Sequence, residues 1–177
     1  MKLAFKKANE EQMPQVASLA QKIWRLYYPP IIGEQKVEYM LGKFYSVDYL
    51  LSQIKAGHHF TLILENDQLV GFMSVEKIGD AKYMLHKLYT DPAIHGKSIG
   101  TKAFDYLVGE LKDMDEMVLE VNRQNFKAIN FYFKMGFTIQ RVLDREVGGG
   151  FSMNAFVMTK KMKSAVPVGT VENSERL

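Results

Sequence analysis

His86-Lys87-Leu88-Tyr89-Thr90-Asp91-Pro92-Ala93-Ile94-His95-Gly96-Lys97-Ser98-Ile99-Gly100 carries more structural information than any other segment of this chain. It begins as an apolar strand, turns at Pro92 and passes through a glycine-containing loop. Beyond the loop, Ile99, Ala103, Phe104, Leu107, Val108 and Leu111 fall on one helical face, which predicts a helix over 98–112. A strand–loop–helix joint leaves the first backbone N–H groups of the helix unpaired, at the positive end of the helix dipole. Such an end suits a phosphate-bearing ligand.

The flanking pattern supplies the rest of the fold. Upstream, alternation predicts strands over 2–8, 59–65, 68–78 and 82–90, the second and third joined at Asn66-Asp67. Three-to-four spacing from Met13 to Tyr27 predicts a helix from Glu11, capped by Asn9 and stopped by Pro29-Pro30. Shorter helices are expected over 34–45 and 47–55, the latter capped by Ser46 and followed by Gly57. Downstream come a strand over 117–121, a helix over 125–135 ended by Gly136, and strands over 137–147 and 151–162 joined by Gly148-Gly149-Gly150. The order β, helices, βββ, α, β, α, ββ describes an α/β (α+β mixed) fold.

Composition narrows the class. A chain of 177 residues with 47% hydrophobic and 24% charged residues fits one domain, expected over 1–163. Residues 164–177 contain Pro167 and Gly169 without apolar periodicity and are expected to be a flexible tail. No run approaches the ~20 apolar residues of a membrane span, and the N-terminus lacks a signal peptide's apolar block, so a cytoplasmic location is expected. A net charge of +3 gives no reason to expect nucleic acid as a partner. The absence of cysteine excludes disulfides, thiolate metal sites and a cysteine nucleophile. His58, His59, His86 and His95 include no i, i+4 pair, and no metal is expected.

The loop alone fits two kinds of protein, P-loop nucleotide hydrolases and acyl-CoA-dependent transferases. Gly96-Lys97-Ser98 matches the end of G-x-x-x-x-G-K-[ST], but Asp91 stands where the first glycine is required. The loop also follows the fourth expected strand rather than the first. The hydrolase reading fails on both counts. His95-Gly96-Lys97-Ser98-Ile99-Gly100 instead resembles the [QR]-x-x-G-x-[GA] motif of the GCN5-related N-acetyltransferase superfamily, with His95 at the Gln/Arg position and Ser98 at the first motif glycine. Asn125-Phe126-Lys127-Ala128-Ile129-Asn130-Phe131-Tyr132-Phe133-Lys134-Met135-Gly136-Phe137 resembles the second signature of that superfamily, N-x-x-A-x-x-F-Y-x-K-x-G-F. The layout around them is similar to bacterial spermine/spermidine N-acetyltransferases.

The resemblance implies a twisted, mostly antiparallel sheet with splayed central parallel strands and helices on both faces. It implies acetyl-CoA as co-substrate and direct transfer to a primary amine. By resemblance, Leu88, Tyr89 and Thr90 hold the pantetheine arm and thioester carbonyl, and His95, Gly96, Lys97, Ser98, Ile99 and Gly100 the pyrophosphate. Asn125, Phe126 and Lys127 contact the coenzyme, Lys134 lies near its phosphates, and Tyr132 is the candidate acid for the departing thiolate. His86 and Glu76 are rival bases beside a water relay, His86 sharing a strand face with Met84, Leu88 and Thr90 by alternation. Glu34, Glu38, Asp48, Tyr39, Tyr45 and Tyr49 lie in the helical region that covers the acceptor in related enzymes. A polyamine, another small amine, a protein amine and a purely regulatory acyl-CoA-binding role all stay open. Pairing of the C-terminal strands between subunits would make a homodimer.

Overall fold

The computed structural model describes residues 2–94 and 98–162. Strand β1 (Leu3–Lys7) leads into a single 3-10 turn (Glu10–Gln12) and helices α1 (Met13–Tyr27), α2 (Pro29–Ile32), α3 (Glu34–Phe44) and α4 (Val47–Lys55). Strands β2 (His59–Glu65), β3 (Gln68–Gly79) and β4 (Lys82–Thr90) follow as a meander. Helix α5 (Ile99–Glu110), β5 (Glu116–Asn122), α6 (Phe126–Lys134), β6 (Thr138–Gly148) and β7 (Phe151–Lys161) complete the order. The expected tail, 164–177, lies outside the described residues.

Local chemistry explains most of these boundaries. Asn9 caps as expected, its side chain accepting from the Glu11 N–H while Gln12 reaches back to the Asn9 N–H. Ser46 accepts from the Tyr49 N–H. Asn66 and Asp67 both adopt positive φ (49° and 65°), the conformation that a two-residue hairpin turn demands and that Asn and Asp tolerate better than most residues. The expected stop at Pro29-Pro30 holds for α1, which ends at Tyr27. Helix formation then resumes, because proline at the first helical positions has no intrahelical N–H to lose and its φ is preset, so α2 begins at Pro29.

The seven strands form one sheet in the order β1-β2-β3-β4-β5-β7-β6, with only β4 and β5 parallel. This is the mostly antiparallel sheet with a central parallel pair that the family resemblance implied. Each face carries helices and its own core. Helices α5 and α6 pack Ile99, Phe104, Leu107 and Ile129 onto Met73, Leu85 and Leu119. On the opposite face α1, α3 and α4 pack Val16, Ile23, Trp24, Leu41 and Leu50 onto Phe60, Leu62 and Phe72.

β4 has two unlike edges. Against β3 it is paired from Lys82 to Thr90, with a register shift in which Ser74 opposes Lys87 and Val75 opposes Leu85. His86 is therefore the extra residue of a β-bulge, and a bulge bends a strand and increases its twist. Against β5 the pairing covers only Lys82–Leu85 with Glu116–Leu119, and it stops where the bulge begins. The bulge also overturns the simple alternation expected of β4. Leu85 and Leu88, three residues apart, both pack toward α5 and α6, whereas Lys87 contacts Tyr45 and Phe60 on the other face.

Candidate active site

The divergence of β4 from β5 opens the sheet, and the far end of β4 is fixed by its neighbours. Gly71 faces Thr90, and a side-chain carbon there would lie 2.5 Å from the Tyr89 carbonyl oxygen, so only glycine allows β3 to approach this closely. Asp91 is buried, accepts from the Ala93 N–H and pairs with Lys22 of α1, which holds the chain as it leaves the strand. From His86 onward β4 has no β5 partner, which leaves a strand edge facing the gap.

A cleft of about 290 Å³ runs from that gap to the start of α5. Ser98 sits at the N-cap in the left-handed conformation, φ 52°, and makes no side-chain capping bond. Its carbonyl accepts from Lys102, so the N–H groups of the first turn, Ile99 to Thr101, lie ahead of the intrahelical ladder. The resemblance placed a glycine of the family motif at Ser98, and positive φ is the physical reason for a glycine there. Gly100 lies beside the Phe131 ring, bringing α5 and α6 together as the two cleft walls.

The start of α6 forms the far wall. Asn125 is buried, and its side-chain oxygen caps α6 through the Ala128 N–H while accepting a 2.9 Å hydrogen bond from the Tyr27 hydroxyl. That bond ties α1 to α6 across the site. Two turns on, Tyr132 packs its ring edgewise against Phe131 and Phe137. Its hydroxyl makes no hydrogen bond among the described residues, and burial raises the phenol above its ordinary pKa. It therefore stays protonated at neutral pH and is available as a donor.

A second pocket of about 130 Å³ opens on the α1–α3 side of the sheet. It shares Tyr28, Leu88, Tyr89, Asn125, Ala128 and Tyr132 with the cleft, so the two spaces meet where β4 leaves β5. Its wall is aromatic: Trp24 stacks on Tyr28 at 4.2 Å, and Tyr28 meets Tyr89 edge-on. Tyr89 in turn shares a 2.8 Å hydrogen bond with the Tyr45 hydroxyl. Burial holds Tyr28 and Tyr89 neutral, well above the ordinary phenol pKa. Glu120 and His86 bring polar groups to the same pocket. Glu120 is paired with Arg145 at 2.9 Å, and the Nε2 atom of His86 lies 2.8 Å from Glu76 Oε2. The His86 ring stacks on His58 at 4.2 Å. Burial lowers the pKa of both imidazoles, His58 to about 4, so both are neutral at pH 7.

Most of the candidates come together. Leu88, Tyr89, Thr90, Ser98, Ile99, Gly100, Asn125, Lys127 and Tyr132 all line the cleft. Phe126, 69% exposed, and Lys134 stand outside it on the surface of α6. His95, Gly96 and Lys97 lie outside the described residues. Glu34, Glu38, Asp48, Tyr39, Tyr45 and Tyr49 do not line the second pocket; Glu38 pairs with Arg25, and Tyr39 donates to the Val147 carbonyl. The pocket's carboxylate is Glu120, which sequence reading missed although a charge inside Met-Val-Leu-Glu-Val is a signal. The neighbourhood of His58, Glu76 and His86 had no such signal, because each comes from a different segment.

Comparison with known proteins identifies the family. The sequence model of the Acetyltransferase (GNAT) family matches residues 18–137. Spermidine N(1)-acetyltransferase of Thermoplasma acidophilum is 26% identical over 171 residues, which cover 93% of this chain and 100% of the relative. The crystal structure of PaiA N-acetyltransferase from Thermoplasma acidophilum in complex with coenzyme A is similar with a TM-score of 0.76 and 27% identity, over 92% of this chain and 100% of that one. YncA of Salmonella typhimurium, solved with its cofactor acetyl-CoA, shares the fold with a TM-score of 0.67 at 18% identity, over 96% of this chain and 99% of its own.

Proposed function

Because this chain belongs to the GNAT family of acetyltransferases and is an enzyme that uses acetyl-CoA, we propose that it acetylates a small primary amine, with polyamines as the preferred class. The observation that carries this reading is the shared wall: cleft and second pocket meet at Leu88, Tyr89, Asn125 and Tyr132. A donor bound on one side of the sheet and an acceptor on the other would touch only there.

The residues present fit the coenzyme. The first-turn amides of α5 suit its diphosphate, and the free edge of β4 suits the amide groups of a pantetheine arm. Acetyl-CoA supplies an activated acetyl carbonyl and, once the new C–N bond displaces it, a thiolate that must take up a proton. The backbone of Leu88 to Thr90 would meet the negative charge that develops on the carbonyl oxygen. Tyr132 would hold the proton for the sulfur, its hydroxyl unpaired at the junction of the two pockets. Burial makes the phenol a weaker acid, but the same burial penalises a thiolate held beside it, so the two shifts offset.

The acceptor assignment rests on the second pocket and on the relative named as a spermidine acetyltransferase. The aromatic lining of Trp24, Tyr28 and Tyr89 suits an alkylammonium, as cation–π contacts strengthen when water is excluded. Glu120 adds a carboxylate at the pocket wall. Thiol release measured over a panel of amines tests the assignment. The expected result is spermidine and spermine turned over at least about 10-fold more efficiently than monoamines or peptide N-termini, the scale of one or two desolvated cation contacts. A peptide or an aminoglycoside at the top of the panel would overturn the polyamine assignment and leave the transferase intact.

A further inference from the structure

The geometry points to a binding site for a divalent transition-metal ion of the zinc class at His58, Glu76 and His86. The three residues come from separate segments. His58 follows the left-handed Gly57 after α4, Glu76 lies on β3, and His86 is the bulged residue of β4. Each offers one ligand atom, and these atoms all lie within 4.8 Å of one another. Nε2 of His86 lies 2.8 Å and Nε2 of His58 3.5 Å from the same Glu76 Oε2.

The two separations to Glu76 lie near a metal's requirement, and the stacked imidazoles must turn for both Nε2 atoms to face one ion. Ligands about 2.0–2.1 Å from a tetrahedral zinc ion stand roughly 3.3 Å apart. The His58–Glu76 pair already spans that distance, and the His86–Glu76 pair needs to open by about half an ångström, again on zinc's bond lengths. His58 is further oriented by Ser74, whose fully buried hydroxyl lies 3.4 Å from Nδ1. An outer hydrogen bond of this kind fixes the ring and directs Nε2 to the metal position. Two imidazoles and one carboxylate select a zinc-class ion over calcium or magnesium, which prefer all-oxygen shells. Three protein ligands leave a fourth position open, and side-chain exposures of 29% for Glu76 and 26% for His86 leave a path to it from solvent.

His86 also lines the second pocket, so an ion held here adds positive charge to the wall proposed to receive a cationic amine. That consequence rests on the acceptor reading above. The binding itself does not, and the experiment reads binding alone.

The test is a titration of the tag-free full chain with Co²⁺, followed by visible absorption. The expected result is the intense spectrum of a four- or five-coordinate ion, saturating at one equivalent and abolished by one equivalent of Zn²⁺. Glu76→Gln and His58→Ala should each weaken binding by at least about 10-fold, a loss that even an outer-shell change can cause. Should His58→Ala fail to fold, the partly exposed His86→Gln replaces it, with the same expectation. Zn²⁺ should raise the thermal midpoint of the parent chain and not that of the variants. A Co²⁺ spectrum that stays that of the aqua ion, or binding that persists unchanged in Glu76→Gln and His86→Gln, would overturn the proposal; the three side chains would then be only a hydrogen-bonded cluster.

Discussion

The two edges of β4 differ in how far they are zipped. Toward β3 the pairing runs from Lys82 to Thr90, with Gly71 drawing the strands close at the far end. Toward β5 it lasts from Lys82 to Leu85 and ends at the His86 bulge. The closed edge supplies rigidity. The open one supplies unspent backbone groups and space, and every pocket-lining residue of β4 lies at or beyond the last pair. A sheet that stopped pairing on both sides would lose its shape, and one that paired on both sides would have no site.

The largest effect on the open side should come from Tyr132→Phe. Loss of the proton donor is expected to lower kcat by about 10²–10⁴-fold, the range for general acid–base groups, with coenzyme affinity unchanged. Steady-state kinetics beside calorimetric coenzyme binding would check it; unchanged turnover would remove the tyrosine from the chemistry.

Lys87 is buried, donates to Gln53 Oε1 at 2.8 Å, and burial lowers its pKa from 10.5 to about 8. Below pH 8 the ammonium is charged in both folded and unfolded states, and the burial penalty is present in full. Between about 8 and 10.5 the unfolded chain binds more protons than the folded one, so this group's contribution to stability rises with pH. Urea unfolding of the parent chain and of Lys87→Met should show the parent gaining up to about 3 kcal/mol relative to the variant across that window. A pH-independent difference would contradict the burial account.

Gly71→Ala attacks the closed edge directly. A Cβ 2.5 Å from the Tyr89 carbonyl must push the strands apart, at a cost of about 1–3 kcal/mol, and should raise the KM for acetyl-CoA as β4 shifts. Thermal unfolding and kinetics on one preparation measure both. The smallest change should be Ser98→Gly. Relieving a left-handed φ of 52° is worth about 1 kcal/mol, and coenzyme binding should persist because the backbone amides remain. A large loss of affinity would transfer the role to the serine hydroxyl.

The sequence disclosed the architecture well and the site unevenly, for physical reasons. Strand and helix periodicity is local, so the boundaries of β2, β4 and α4 could be read directly, as could the Asn9, Ser46 and Asn66-Asp67 turns. The cleft residues were legible because the two motifs mark helix starts at fixed spacing, and the fold gathers those starts around one cleft. The bulge at His86 was not. It depends on how Ser74 and Val75 register against β4, and nothing in Leu85-His86-Lys87 announces it. Glu34, Glu38, Asp48, Tyr39 and Tyr49 do not line the second pocket and Tyr45 stands behind its wall, bonded to Tyr89, while Glu120 reaches the pocket from β5.

On the proposed mechanism the unzipped edge of β4 and the Tyr132 hydroxyl meet the thioester from opposite sides. A crystal structure with coenzyme A bound tests it most directly. The account predicts the pantetheine arm lying along Leu88 to Thr90, the diphosphate at the first turn of α5, and the sulfur within hydrogen-bonding reach of Tyr132 Oη. A coenzyme seated elsewhere, or a sulfur far from that hydroxyl, would contradict it.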